Sequence, residues 1–323
     1  MLLLKRVALL ASLAAVIPLG TEAFAQAWPS REINIVVPFA AGGSTDTTAR
    51  MVAAHLSATL KQAVVVENKA GAGGDLGADY VAKSAPDGYT FLFGTTGPLA
   101  ISQFMGSANT FDPQKAFTPV IAISRAPNAV MVNTKLGVTD LKGLLELAKT
   151  KPNGLSFASP GAMTTGHFAG EWLKKQTGAN LTHVPYRGSG PAVTDLLGGV
   201  IEMAVDSPVS YSPHVQSGNF RILAVTTKDR FSVLPDVPAI SESGLDMNVS
   251  VWFALVGPAG VPKPIVDRLN SEINVFLQIP ETRAQLAKFG AETMGGPPEV
   301  LANLIRDETL RWKTMVTATG LKP

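Results

Sequence analysis

Cysteine is absent from the sequence. No disulfide, thiolate nucleophile or cysteine-ligated metal is therefore available. Histidine is scarce as well: His55, His167, His183 and His214 stand in no HExxH or comparable ligand spacing. Charge is sparse, with 16% charged residues and a formal net charge of +2. So weak a field argues against nucleic acid or an anionic membrane surface as a partner. No GxxxxGK[ST] occurs, which excludes a P-loop, and Gly188-Ser189-Gly190 is not a GxSxG nucleophile elbow. A Ser/His hydrolase would have to set a Ser or Thr beside His167. No catalytic residue is assigned, and no cofactor or metal is expected.

Long apolar runs are missing too, except at the N-terminus. There Lys5 and Arg6 precede an apolar run from Val7 to Leu19, and Ala23-Phe24-Ala25 follows as an A-x-A cleavage site. The pattern is that of a secretory signal peptide, residues 1–25, cleaved near Ala25. The run is too short to span a bilayer comfortably, and nothing later reaches that length. Without a cysteine at the cleavage site a lipoprotein anchor is excluded. A mature chain free in the periplasm and not membrane-spanning is the expectation.

What is present is enough apolar residue, 46% of 323, for two domains and a sizeable core. The stretch from Ile33 to Arg50 organises the rest. Ile33, Ile35, Val36 and Val37 predict a buried strand, stopped by Pro38. Gly42 and Gly43 permit a tight turn. Ser44, Thr45 and Asp46 then start a helix that runs to about Leu60. A strand, a glycine-bearing loop and a helix N-terminus make an anion receptor from backbone N–H groups alone. The plain alternative is a βα connection whose glycines only make the turn. Asp46 in the first helical turn reads as a cap and dipole residue.

The same alternation continues. Ala63–Glu67 is a strand, Asn68–Gly77 a second glycine-rich loop, Leu76–Ser84 a short helix and Tyr89–Thr96 a third strand. This β-α-β-α-β order implies a parallel sheet with right-handed crossovers. Its strand ends carry Gly42/Gly43, Gly71 to Gly74 and Thr95/Thr96, and ligands of open α/β sheets sit at the carboxyl ends of strands. Phe117–Val132 reads as one extended path, longer than a usual strand, that crosses to a second domain. Thr139 then caps a helix to Lys149. A second β-α-β-α-β set follows: strand Leu155–Ala158, loop Ser159–Thr165, helix His167–Gln176, strand Leu181–Val184, loop Pro185–Pro191, helix Val193–Leu197 and strand Ile201–Val205, which ends at Asp206 and Ser207. Strand Arg221–Thr226 comes next, and Val249–Val256 is the return crossing with Trp252 in the hinge core. Three helices finish the chain, at 265–278, 282–289 and 298–317. The expected architecture is α/β with two βαβ-type lobes joined by two extended hinge crossings. Lobe 1 holds 26–123 and 250–323, lobe 2 holds 124–249, and a cleft lies between.

Five stretches also resemble a known family. They are WPSREINIVVPFAAGGSTDTTAR, VENKAGAGGDLGADYVAKSAPDGYTFLFGT, VPYRGSGPAVTDLLGG, LAVTTKDRFSVLPDVPAISESGL and WFALVGPAGVP. In this order they are similar to the substrate-binding proteins of tripartite tricarboxylate transporters, also called the Bug family. The resemblance implies a two-lobed periplasmic binding protein of type II, a Venus flytrap. It also implies a small carboxylate ligand and delivery to a membrane permease of one large and one small subunit. A monomer is expected.

By the resemblance, Phe39, Ala40, Gly42 and Gly43 hold one carboxylate through backbone N–H groups and bridging water. Ser159, Gly161, Thr164 and Thr165 hold the other end of the ligand, beside Thr95 and Thr96. Asp206 falls where the family often has an acidic residue; it could face a ligand or bond loop N–H groups. Arg187 could pair with a carboxylate or stand in solvent, and His167 reads as structural. The sequence departs from its relatives at Ala162 and Met163, and again at Gly97-Pro98-Leu99-Ala100. Both departures make the expected cleft less polar, so a monocarboxylate with an apolar or aromatic tail joins the candidate ligands. A receptor that signals to a sensor protein would use the same closure as one that feeds a permease.

Overall fold

The computed structural model describes residues 28–104 and 111–320; the expected signal peptide lies outside the described residues. The chain runs β1 (Ile33–Val37), α1 (Ser44–Leu60), β2 (Val64–Asn68), α2 (Asp75–Ala82) and β3 (Thr90–Thr95). The short α3 (Pro113–Ala116) leads to β4 (Phe117–Pro127) and, after Asn128, to β5 (Ala129–Asn133). There follow α4 (Leu141–Thr150), β6 (Leu155–Ser159), α5 (Thr165–Thr177), β7 (Leu181–Pro185), α6 (Ser189–Gly198), β8 (Met203–Asp206), α7 (Ser212–Gln216) and β9 (Phe220–Val225). β10 (Ser250–Pro258) returns, and α8 (Lys263–Gln278), α9 (Pro280–Lys288), β11 (Glu292–Thr293) and α10 (Pro298–Thr319) complete the described chain.

Two sheets result. One has the order β11-β4-β10-β3-β1-β2 and the other β7-β6-β8-β5-β9. In each, a βαβαβ set forms three parallel strands with the first strand in the middle: β1 between β2 and β3, and β6 between β7 and β8. A crossing strand then pairs antiparallel, β10 on β3 and β5 on β8. The strands buried on both faces are near-continuous apolar runs, as in Ile33–Val37 with Ile35, Val36 and Val37 fully buried.

The single extended path expected over Phe117–Val132 is two strands in different sheets, parted at Asn128. Thr226 fixes this hinge. Its N–H and its hydroxyl both donate to the Asn128 carbonyl, at 2.8 and 3.1 Å, and the hydroxyl also lies 2.7 Å from the Val249 carbonyl. Both crossings are thereby tied at one point. α4 is capped by Asp140, whose carboxylate accepts from Gly143 N–H at 2.7 Å, one residue later than the Thr139 expected. α6 starts at Ser189, not Val193, with Pro191 in the first turn, where its missing N–H costs nothing. α8 and α10 pack on β4 of the first sheet. Trp312 of α10 also reaches Phe168 of α5 edge-to-face, at 4.9 Å between ring centres.

Candidate functional site

A pocket lies between the sheets and is lined from both of them. The first contributes Phe39, Gly43, Ser44, Thr45, Thr95, Gly97, Val251 and Phe253; the second contributes Pro160, Thr164, Thr165, Ser189, Asp206 and Ser207; Asn128 comes from the hinge. The N-termini of α1, α5 and α6 all reach this lining. Each follows a β-strand through a short glycine-bearing loop, so the parallel topology puts them at the same end of their sheets. α1 and α6 have glycine N-caps, Gly43 and Gly188, with no side-chain cap. Among the described residues, the N–H groups of Ser44, Thr45, Ser189 and Gly190 meet no acceptor. Among the described residues, no lysine, arginine or histidine lines the pocket. What it offers an anion is helix dipoles and open N–H groups.

Of the residues expected from sequence, Phe39, Gly43, Thr95, Thr164, Thr165 and Asp206 line the pocket. Ala40, Gly42, Thr96, Ser159 and Gly161 do not, because their polar groups hold the walls together. Ala40 N–H donates to the Arg187 carbonyl at 2.7 Å, across the cleft. Gly42 N–H donates to the Asp46 carboxylate at 2.9 Å. Thr96 hydroxyl bonds the Trp252 N–H at 3.0 Å and so fixes the return crossing. Ser159 hydroxyl lies 2.7 Å from His183 Nε2 and 3.0 Å from the Gly161 carbonyl. The open donors therefore sit one or two residues later than expected, on Ser44 and Thr45. Thr164 serves as the N-cap of α5, accepting His167 N–H at 3.4 Å and donating to the Gly161 carbonyl at 2.7 Å.

Asp46 is buried, which pushes its proton affinity up. Hydrogen bonds from Arg50, Gly42 N–H and Asn68 outweigh this and hold the carboxyl below the usual carboxylate range. It is a loop clamp, and it sets the direction of α1. Arg187 is exposed and does not line this pocket; its carbonyl accepts Ala40 N–H across the cleft. Ala162 and Met163 do not line the pocket either. They pack across the cleft on Gly73, where a Cβ would meet the Ala162 carbonyl at 2.1 Å. Leu99 and Ala100 are core residues. Of the two departures from the relatives, Gly97 reaches the pocket lining.

Sequence reasoning missed Asn128, Ser189 and the first-turn pair Ser44 and Thr45 as pocket residues. Asn128 is 1% exposed; its Oδ1 accepts from the Thr165 hydroxyl at 3.1 Å, and its Nδ2 has no partner among the described residues. A buried amide donor left open toward a pocket is costly unless a ligand meets it. Its one signal in the sequence was a polar residue after Pro127 inside an otherwise apolar run. Beneath the α5 loop, His167 and His183 stack at 4.1 Å. Burial holds His167 down to about 4, and burial with the neighbouring His167 and Lys174 holds His183 down to about 3. Neutral His167 accepts Met163 N–H on Nδ1 at 3.2 Å.

The walls meet closely. Ser44 and Ser210 hydroxyls are 3.1 Å apart across the cleft. A Cβ on Gly43 would stand 3.2 Å from Ser189 N, and one on Gly190 would stand 2.4 Å from the Ala41 carbonyl. A larger depression, of about 470 Å³, opens on the other face of β10, lined by Ser250 and Trp252 where Val251 and Phe253 face the front pocket. Its three arginines are already paired, Arg125 with Glu292, Arg230 with Glu242 and Arg311 with Glu308. Among the described residues no group of three His, Cys, Asp or Glu side chains gathers to hold a metal, and no helix is long and apolar enough to cross a membrane.

Two mirrored α/β sheets, a two-strand hinge and a pocket between them define a solute-binding protein. Comparison with known proteins narrows the class. The tripartite tricarboxylate transporter family receptor pattern matches residues 48–321, and the chain belongs to that family. BugT of Bordetella pertussis is 37% identical over 300 residues, covering 92% of this chain and 92% of BugT. The structure of Rpa4515 from R. palustris with adipate is 37% identical and covers 92% of this chain and 99% of its own, with a TM-score of 0.87. MatC from Rhodopseudomonas palustris with bound malate is 32% identical, covers 90% and 100%, and has a TM-score of 0.84. The fold and the family are those of periplasmic solute-binding proteins.

Proposed function

We propose that this protein captures a small carboxylate in the pocket between its lobes, closes on it and delivers it to a tripartite tricarboxylate-type permease. The observation that carries this reading is the convergence of α1, α5 and α6 N-termini on a pocket without a basic side chain. Such a site takes an anion small enough to touch several open N–H groups at once. The adipate and malate of the two related structures are ligands of this kind. The ligand contacts are Gly43, Ser44 and Thr45 from lobe 1, Thr164, Thr165, Ser189 and Asp206 from lobe 2, and the open amide of Asn128 between them. The lobes meet at Asn128 and at the Thr226–Val249 pair.

Magnitudes favour closure. A micromolar complex needs about 8 kcal/mol. Three charge-assisted hydrogen bonds at roughly 1.5–3 kcal/mol each come to about 4.5–9, from which association takes several. One lobe alone falls short; contacts from both lobes with water excluded make up the difference. A ligand touching both lobes stabilises the closed form because it binds that form better. The signal peptide is removed near Ala25, the mature protein is a monomer, and it catalyses no reaction.

A thermal-shift screen of the mature protein tests the reading. The panel holds succinate, adipate, malate, citrate, aspartate and benzoate, each with its methyl ester. A ligand at about 100 times its Kd adds roughly 2.7 kcal/mol, a rise of several degrees. A rise with an acid that its ester does not give supports the proposal. A rise with uncharged solutes only refutes it.

A further inference from the structure

Among the described residues, Asp206 is the only charged one in the pocket lining. It ends β8, is 2% exposed and shares the cavity with the N-termini that would hold the ligand. Its Oδ1 accepts Ser207 N–H at 2.6 Å and its Oδ2 accepts the Tyr211 hydroxyl at 3.2 Å. The Ser189 hydroxyl of α6 also favours its ionised form. No cation faces it. From β5 its ladder partner is Ala129. Behind Tyr211, itself pushed well up by burial and by Asp206, lies Tyr186, whose hydroxyl donates to Asp195. His167 on α5 is committed to Met163 N–H and stacked on His183.

A carboxylate bound at the open N–H groups would thus share a small closed pocket with a second carboxylate, with no basic side chain between them. Two such groups cannot both stay ionised at low cost; one takes a proton, as in paired catalytic carboxylates. Resting on the function proposed above, we infer that the receptor binds its carboxylate together with one proton from solvent, held on Asp206, which then donates a hydrogen bond to the ligand. Burial already brings Asp206 up to about 7 without a ligand. The chemistry selects acids that carry no ammonium group of their own, since an ammonium would neutralise Asp206 without the proton. Affinity is then set by pH as well as by ligand concentration.

The test is calorimetry on the unmodified protein between pH 7 and 9, where the carboxyl groups of the mono- and dicarboxylic acids of the panel are essentially fully ionised. Each titration uses the panel acid with the largest thermal shift, in buffers of different ionisation enthalpy. The expected result is an uptake that approaches one proton per ligand and a Kd that rises tenfold per pH unit at the alkaline end. Asp206→Asn, which offers an uncharged amide donor, is expected to bind with a flat pH profile and more tightly than the unmodified protein at pH 9. Binding without proton uptake overturns the inference and leaves the carboxylate receptor standing. So does a preference for aspartate over succinate without uptake, which makes Asp206 the partner of an ammonium. Weaker binding by Asp206→Asn at every pH, with the slope retained, assigns the proton elsewhere and also overturns it. If no panel acid binds at all, the proposed function fails first.

Discussion

Gly190→Ala separates the closed form from the fold of the lobes. Gly190 sits in the first turn of α6 with an ordinary helical backbone, so alanine is strain-free there and raises helix propensity by up to about 1 kcal/mol. Its Cβ, however, would lie 2.4 Å from the Ala41 carbonyl of the other lobe. Both atoms belong to backbone-bound positions, so relief requires the lobes to part by roughly 1 Å. The Ala40 N–H bond to the Arg187 carbonyl, 2.7 Å long, would then exceed hydrogen-bond range. Overpacking costs about 1–3 kcal/mol and the lost bond about 1. Charged to the closed form only, about 2–4 kcal/mol weakens apparent affinity roughly 30- to 1000-fold. Calorimetry with a bound carboxylate measures this, and a melt without ligand is expected to change by no more than a degree or two. A Kd within twofold of the unmodified protein would refute the reasoning. A fall of many degrees in the ligand-free melt would do so too, since the contact would then belong to the fold itself.

Other outcomes follow from the same geometry. Asn128→Ala removes the open amide donor and the Thr165 partner; ligand affinity should fall about tenfold, read by calorimetry, with the melt little changed. Acid should loosen the α5 loop. His167 is neutral when folded down to about pH 4, whereas it charges near 6.5 when unfolded, so stability is intact above about 6.5 and is lost as pH falls toward 4. The His167 contribution approaches 1.4 kcal/mol per pH unit, or about 2 kcal/mol by pH 5. Urea midpoints across pH 4–7 measure it as the difference between the unmodified protein and His167→Gln, since His183 titrates in the same direction and Asp206 in the opposite one. Asp46→Asn leaves one acceptor oxygen for the three donors Gly42 N–H, Arg50 and Asn68 and removes the charge that pairs with Arg50; a loss of about 1–3 kcal/mol in urea unfolding is expected, together with weaker ligand binding.

The two βαβαβ sets were legible because apolar runs of strand length alternate with glycine turns and capped helices, each a local signal. The loops at the strand ends were legible for the same reason, and six of the expected contacts line the pocket. What escaped was which polar groups remain free. Ala40, Gly42, Thr96 and Ser159 all look like donors in sequence, yet each is spent on a partner distant in the chain or held by a neighbouring clamp such as Asp46. Such pairings appear only once the lobes are packed. Asn128 escaped for a different reason: an extended run on both sides hid a change of sheet, and the residue at the break is the one the hinge turns into the pocket. Ala162 and Met163, read as pocket residues by position in their loop, pack on Gly73 instead.

The central claim is that dipoles and open backbone N–H groups, not a basic side chain, hold the ligand. A crystal structure of the mature protein with the panel acid that gives the largest thermal shift tests it most directly. The account predicts carboxylate oxygens about 2.7–3.2 Å from N–H groups at the starts of α1 and of α5 or α6, with Asn128 Nδ2 on the ligand. A carboxylate paired with Arg187, or a ligand seated in the depression behind β10, would contradict it.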